Sequence, residues 1–248
     1  MSEVLIVTGG SRGIGAATAL LGAKRGYKVA VNYNKNSASA DSVVKEIERG
    51  GGQAIAVQAD VGNEADVVRL FETVDKELGR VTALFNNAGI VLRLRPITEY
   101  TADALNDLWR INMTSQFLCA REAVKRMSTT SGGKGGTIVN MSSIAALLGG
   151  PGGQVAYAAS KGAVDVFTHG LSIDLAPQGI RINAVRPGLI DTDIHDDMGV
   201  KDRFKTISPT VPMGRGGTAS EVAETVLWLM SPQASYVTGA LVNVSGGR

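Results

Sequence analysis

Cysteine is almost absent from this chain. Among its 248 residues there is one, Cys119, so no internal disulfide can form and a reducing compartment, the cytoplasm, is expected. Cys119 stands in the apolar stretch Phe117-Leu118-Cys119-Ala120, which reads as a buried thiol rather than a nucleophile. Histidine is nearly as scarce. Only His169 and His195 occur, with no Cys/His cluster, so no metal site is expected. No apolar run reaches the ~20 residues that cross a bilayer. Met1-Ser2-Glu3 leads straight into the apolar Val4–Val7, without the basic start and long apolar stretch of a secretory signal. A surplus of one charge is missing too. Lys and Arg number 25 against 23 Asp and Glu, so neither nucleic acid nor an acidic membrane is the expected partner. There are no repeats and no linker-like stretch.

What is plentiful is apolar residues, at 44%, and glycine, at 31 residues. The length suits one α/β domain over 1–248. Short apolar runs recur at Val4–Thr8, Lys28–Tyr33, Gln53–Gln58, Ala83–Asn86, Gly136–Met141, Arg181–Arg186 and Ala240–Val244. They are rich in Val, Ile and Leu, as strands covered on both faces require. Helical spacing fills the gaps, for example Val43, Val44 and Ile47 within Asp41–Arg49. Val67, Val68, Phe71, Val74 and Leu78 do the same within Ala65–Leu78, which Asn63 and Asp66 would open. This alternation predicts a seven-stranded parallel sheet with helices on both faces and right-handed crossovers. Ser131–Gly136 reads as a flexible loop. The polar segment from about Ile190 to Arg215, with Pro209 and Pro212, lacks periodicity and is expected to be a lid over a site.

The first strand runs into Thr8-Gly9-Gly10-Ser11-Arg12-Gly13-Ile14-Gly15 and then a helix. Glycines let a backbone turn sharply and approach a pyrophosphate, whose charge the N–H groups of the helix start favour. The spacing is not the standard G-x-G-x-x-G, and a plain strand-to-helix turn could use the same residues. Gly9-Gly10-Ser11-Arg12-Gly13 also fits the G-x-S-x-G elbow of serine hydrolases, with Ser11 as nucleophile and His169 or His195 as base. Its position after the first strand argues against that reading, as does the unexplained Gly15. At the end of the second strand, Val31-Asn32-Tyr33-Asn34-Lys35 offers no carboxylate before Asp41. An NAD site places an acid there for the ribose 2′-hydroxyl. Its absence, and Arg12 in the turn to meet a 2′-phosphate, favour NADP, with NAD still possible.

Far downstream, Tyr157 and Lys161 stand four residues apart, on one face of a helix. A phenol titrates near pH ~10, too high for proton transfer at neutrality, and a neighbouring ammonium is expected to lower it.

Taken together these residues resemble the short-chain dehydrogenase/reductase family along essentially the whole chain. Thr8–Gly15 matches its T-G-x-x-x-G-x-G, and Asn86-Asn87-Ala88-Gly89 its N-N-A-G. Asn112 falls in a long helix where the family keeps an asparagine. Ser142-Ser143 precedes Tyr157-x-x-x-Lys161, and Arg186-Pro187-Gly188 precedes Thr192. Within the family the chain is similar to bacterial glucose 1-dehydrogenases and 3-oxoacyl-carrier-protein reductases.

The resemblance implies a single-domain Rossmann fold and hydride transfer between nicotinamide and a secondary alcohol or ketone, in a direction the sequence does not fix. Tyr157 would carry the proton at the substrate oxygen, Ser143 would hydrogen-bond that oxygen, and Lys161 would lower the phenol's pKa and bind the nicotinamide ribose. Asn112 would hold a relay water through its backbone. The family's serine lies thirteen positions before the tyrosine, whereas Ser143 lies fourteen before, so Ser142 stays as the fallback. Coenzyme contacts are implied at Gly9, Ser11, Arg12, Gly13, Ile14, Gly15, Asn32 and Tyr33, at Asp60 and Val61, and at Asn87, Ala88 and Gly89. They are implied also at Tyr157, Lys161, Pro187, Gly188, Ile190 and Thr192. Arg93, Arg95, His195 and Met198 lie in loops near the implied pocket. His169, Met127, Trp109 and Trp228 read as structural, core or interface residues. The family is usually a homotetramer, built on helices around Asp103–Arg126 and Val155–Leu175 and on the run Tyr236–Gly247. A dinucleotide-binding sensor without turnover is the other reading, though it has no use for an acid-base pair.

Overall fold

A computed structural model describes residues 3–194, 198–200 and 202–248. Seven parallel strands form one sheet: β1 Val4–Val7, β2 Lys28–Tyr33, β3 Ala54–Gln58, β4 Ala83–Asn86, β5 Gly136–Met141, β6 Ile180–Pro187 and β7 Leu241–Val244. Their order is β3-β2-β1-β4-β5-β6-β7. The direction of winding therefore reverses between β1 and β4, and a crevice opens beyond the carboxyl ends of those strands. All seven expected runs are strands, with ends differing by a residue or so.

The strands are apolar on both sides because both sides are covered. Val4 and Ile6 face one core layer, Leu5 and Val7 the other. The first layer is closed by α3 (Glu64–Glu77), through Val67, Leu70, Phe71 and Val74, and by α5 (Ser115–Met127), through Cys119, Ala123 and Met127. α7 (Val155–Leu175) adds Leu175. The second layer is closed by α1 (Gly13–Lys24), α2 (Ser37–Arg49) and α9 (Ala219–Met230). Among the described residues there are also three shorter helices: α4 (Ala102–Trp109), α6 (Ala145–Leu148) and α8 (Arg203–Ile207).

The start of α3 follows the expected cap, the Asn63 side chain accepting from the Asp66 N–H at 3.1 Å. Cys119 is buried and its thiol is pushed up to about 12 by burial, so it is inert packing. The long helix expected around Asn112 is present, helical without a break from α4 into α5, but it is not α-helical throughout. A π turn, Arg110–Thr114, separates α4 from α5, and such turns often mark functional positions. No described helix is long and apolar enough to cross a membrane.

Candidate active site

The glycine-rich turn is tied to the turn after β4. Thr8 Oγ1 accepts from the N–H groups of Asn87 and Ala88 at 2.9 and 3.0 Å, and the Asn87 amide donates to the carbonyls of Thr8 and Gly9 at 2.8 and 3.0 Å. Gly9 and Gly13 have φ of +61° and +55°, the left-handed region that favours glycine. Gly15 is needed for another reason. A Cβ there would lie 2.4 Å from the Gly9 carbonyl oxygen and 2.7 Å from the Asn87 amide. The Arg12 side chain does not cap α1, and Gly13 and Ile14 at its start line the cleft, where helix-start N–H groups could hold a diphosphate.

The opposite end of the cleft is built from β5, α6 and α7. Lys161 is 2% exposed and donates to the Met141 carbonyl at 2.8 Å. Its Nζ lies 5.7 Å from the centre of the Tyr157 ring. The two serines differ in their surroundings. Ser142 is buried and donates to the Lys161 carbonyl at 3.2 Å, whereas the Ser143 hydroxyl bears on the Tyr157 phenol and lowers its pKa. Ser143 Oγ also accepts from the Ala145 N–H at 3.1 Å, which fixes it at the start of α6.

The phenol is raised rather than lowered, and the cause is burial, not the lysine. Burial pushes the Tyr157 phenol up, against a smaller lowering by the Ser143 hydroxyl. Burial also pulls Lys161 down to about 8, with the Asp165 carboxylate opposing. Both groups share one poorly solvated pocket, and the ammonium is directed at a carbonyl. At neutrality the pair is therefore a protonated phenol beside an ammonium, the form that can give a proton to a developing alkoxide.

Asn112 is fully buried, and its side chain is committed to the fold. Its Oδ1 accepts from the Ile90 N–H at 2.8 Å, and its Nδ2 donates to the Ile90 carbonyl and to Ser160 Oγ. The π turn thus clamps the chain just after Gly89. A Cβ on Gly89 would lie 3.3 Å from Asn112 Oδ1 and 3.5 Å from Lys161 Nζ.

Most of the expected residues line one cleft: Gly9, Arg12, Gly13, Ile14, Asn87, Ala88, Gly89, Ser143, Tyr157, Lys161, Pro187, Gly188, Ile190 and Thr192. Ser11, Gly15, Tyr33, Val61 and Asn112 lie outside its lining. Asn32 is committed to the fold. Its Oδ1 accepts from the Gly9 N–H, and its amide donates to the carbonyls of Tyr33, Val57 and Ala59. Both Asp60 oxygens are likewise used, by the Gly62 N–H and by Arg110 Nη1 at 2.9 Å. Val61 is part of the core. Met141 and Ile194 line the cleft unannounced. Met141 contributes a carbonyl, which has no side-chain signature to read.

Part of the expected lid closes over the loop after β4: the Leu94 N–H donates to the Met198 carbonyl, and Gln154 reaches the Met198 sulfur at 3.6 Å. Arg93 and Arg95 lie on that loop, Arg93 exposed. His195 lies outside the described residues. His169 packs beside Ser172, close to Gly239, away from Ser11. Met127 is core, and Trp109 and Trp228 are partly exposed. Among the described residues, no cluster of His, Cys, Asp or Glu could hold a metal.

The family model described as enoyl-(acyl carrier protein) reductase matches residues 9–248. The chain is 49% identical over 245 residues to an uncharacterized oxidoreductase, YgfF, of Escherichia coli K12, covering 99% of both. It is 42% identical over 250 residues to a 3-oxoacyl-[acyl-carrier-protein] reductase of Synechocystis, covering 99% of this chain and 96% of that one. Among solved structures, the 3-ketoacyl-(acyl-carrier-protein) reductase of Brucella melitensis, complexed with NADH, superposes with a TM-score of 0.91 at 32% identity, over 99% and 98% of the two chains. With this fold, the paired glycine turns and the Ser143–Tyr157–Lys161 group, the chain belongs to the short-chain dehydrogenase/reductase family of oxidoreductases.

Proposed function

We propose that the chain is an NADP-dependent reductase of 3-oxoacyl-type ketones, working reversibly on the corresponding secondary alcohols. The observation that carries this is the convergence of Ser143, Tyr157 and Lys161 at one end of a cleft whose other end is the glycine cradle. The cradle suits a dinucleotide diphosphate, since a Cβ at Gly13 would already approach the Thr192 side chain to 3.3 Å. When bound, the nicotinamide supplies or takes the hydride.

The protein's own groups handle everything else. Ser143 and Tyr157 present two hydroxyls to the substrate oxygen, and Tyr157 gives its proton to that oxygen as charge develops there. Lys161 holds positive charge under the phenol and binds ribose hydroxyls. The Asn112 backbone holds a water that returns the proton. Gly9 to Gly15 and Asn87 to Gly89 line the diphosphate and ribose, and Pro187, Gly188, Ile190 and Thr192 the carboxamide end.

NADP is favoured over NAD by two features: no carboxylate follows β2 before Asp41, and Arg12 lies in the turn. Arg12 Nη1 is 3.7 Å from Asp193 Oδ2, an exposed contact that a 2′-phosphate could replace. The 3-oxoacyl class is favoured over sugars by the Synechocystis relative. A homotetramer is proposed on the exposed apolar face of α5 and α7, which carries Phe117, Val166 and Ile173.

The test is a panel of 3-oxoacyl thioesters, small ketones and glucose, with both coenzymes. The reading predicts thioester reduction with NADPH and at least ~10-fold weaker NADPH binding in Arg12→Ala. Glucose oxidation alone, or equal use of NADH, would replace it.

A further inference from the structure

Lys161 sits in a pocket that disfavours its charge. It is 2% exposed, and its hydrogen bond is to a neutral acceptor, the Met141 carbonyl. One helical turn further along α7 is Asp165, also buried, 7% exposed. Its Oδ2 accepts two hydrogen bonds from Arg186 of β6, from Nε at 3.1 Å and from Nη2 at 2.8 Å. Both side chains of this pair are about nine-tenths covered, 12% and 10% exposed. The other oxygen, Oδ1, is buried without a protein partner. A buried ion pair with half of its carboxylate unsatisfied is a poor stabiliser, since desolvation consumes the attraction. Its position offers another use for it.

We propose that Asp165 and Arg186 are positioning residues for Lys161: the Asp165 carboxylate keeps the lysine charged inside the cleft, and Arg186 holds that carboxylate in place and limits its strength. The proposal rests on the reading of Lys161 as part of the active site.

Other charges near α7 are accounted for. β5 and α6 bring no charged side chain. The π turn brings Arg110, which is bound to Asp60. Arg181, at the far end of β6, donates to the carbonyls of Leu229, Val237 and Ser231. On α4, Asp103 and Asp107 are exposed. On α7 itself, His169 and Asp174 lie two turns or more beyond Lys161, and Tyr157 is the phenol whose ring faces it. Asp165 is thus the carboxylate that bears on Lys161, and it favours the charged amine.

The experiment measures Lys161 directly by NMR titration of protein carrying 13C at the lysine ε-carbons, its signal assigned by loss in Lys161→Met. The full chain is used, and no turnover is needed. Asp165→Asn is expected to lower the Lys161 midpoint by about one pH unit, because the carboxylate is gone and Arg186 is left bare. Arg186→Gln is expected to raise it, because the carboxylate is left bare. The double variant Asp165→Asn/Arg186→Gln, neutral and still able to hydrogen-bond, guards against misfolding and is expected to lie below wild type. The alkaline limb of the pH–rate profile should move in the same order. A purely structural pair would lower melting temperature in both single variants with the Lys161 midpoint fixed, and that result overturns the proposal. Opposite shifts in a protein that reduces no ketone would uphold the pair and refute the proposed function.

Discussion

Lys161 carries the sharpest prediction at the level of single residues. Its amine is held near 8 in the folded protein, whereas an unfolded lysine titrates near ~10.4. Below about 8 both states bind the proton, and the folded state bears the full cost of a buried charge. Between the two values the unfolded chain holds more protons, so stability should rise with pH over that window. Lys161→Met removes the effect. Urea unfolding at neutrality and at about pH 10 should show wild type gaining on the variant as pH rises. Activity runs the other way, falling as pH passes about 8 and the ammonium is lost.

Gly15 gives a steric prediction. In Gly15→Ala the new methyl would press on the backbone carbonyl of Gly9 and on the Asn87 amide, which is held by its bonds to the Thr8 and Gly9 carbonyls. A loss of about 1–3 kcal/mol in stability is expected, with coenzyme binding abolished, measurable by calorimetry and fluorescence. The glycines and the Tyr157–Lys161 pair were legible because their spacing encodes their geometry. The commitments of Asn32 and Asp60 were not, because hydrogen bonds to distant backbone leave no local pattern.

At the scale of elements, the position of α1 depends on α9, which packs against it in the second core layer. α9 opens with a capping box: Thr218 Oγ1 accepts from the Glu221 N–H, and the Glu221 carboxylate accepts from the Thr218 N–H at 2.8 Å. Thr218→Ala should lower stability by about 1 kcal/mol in urea titration without altering the reaction, since neither Thr218 nor Glu221 lines the cleft. The strands were readable from their apolar runs, and α3 from its cap and stripe. The π turn at Asn112 was not readable, since an extra residue in a helix alters the hydrogen-bond ladder without altering the apolar pattern much. The segment from 190 to 215 yielded only its polarity to sequence reading, and α8 within it is too short to show a period.

At the scale of the molecule, the strand order follows from right-handed crossovers that start at β1 and wind outward both ways. That winding brings the ends of β1, β4 and β5 together, although they are far apart in sequence. The proposed tetramer is testable on the exposed face of α7. Val166 is 76% exposed, so Val166→Glu should change monomer stability by less than ~0.5 kcal/mol. The same variant should reduce the mass seen by light scattering. An unchanged mass would remove α7 from the interface.

The central claim is that the Tyr157 hydroxyl transfers the proton at a ketone beside a bound coenzyme. The direct measurement pairs single-turnover NADPH oxidation by a 3-oxoacyl thioester with NADPH binding, in wild type and in Tyr157→Phe. The expected result is a rate loss of about 10²–10⁴-fold with NADPH affinity within ~2-fold of wild type. A Tyr157→Phe variant that turns over as fast as wild type would contradict the account.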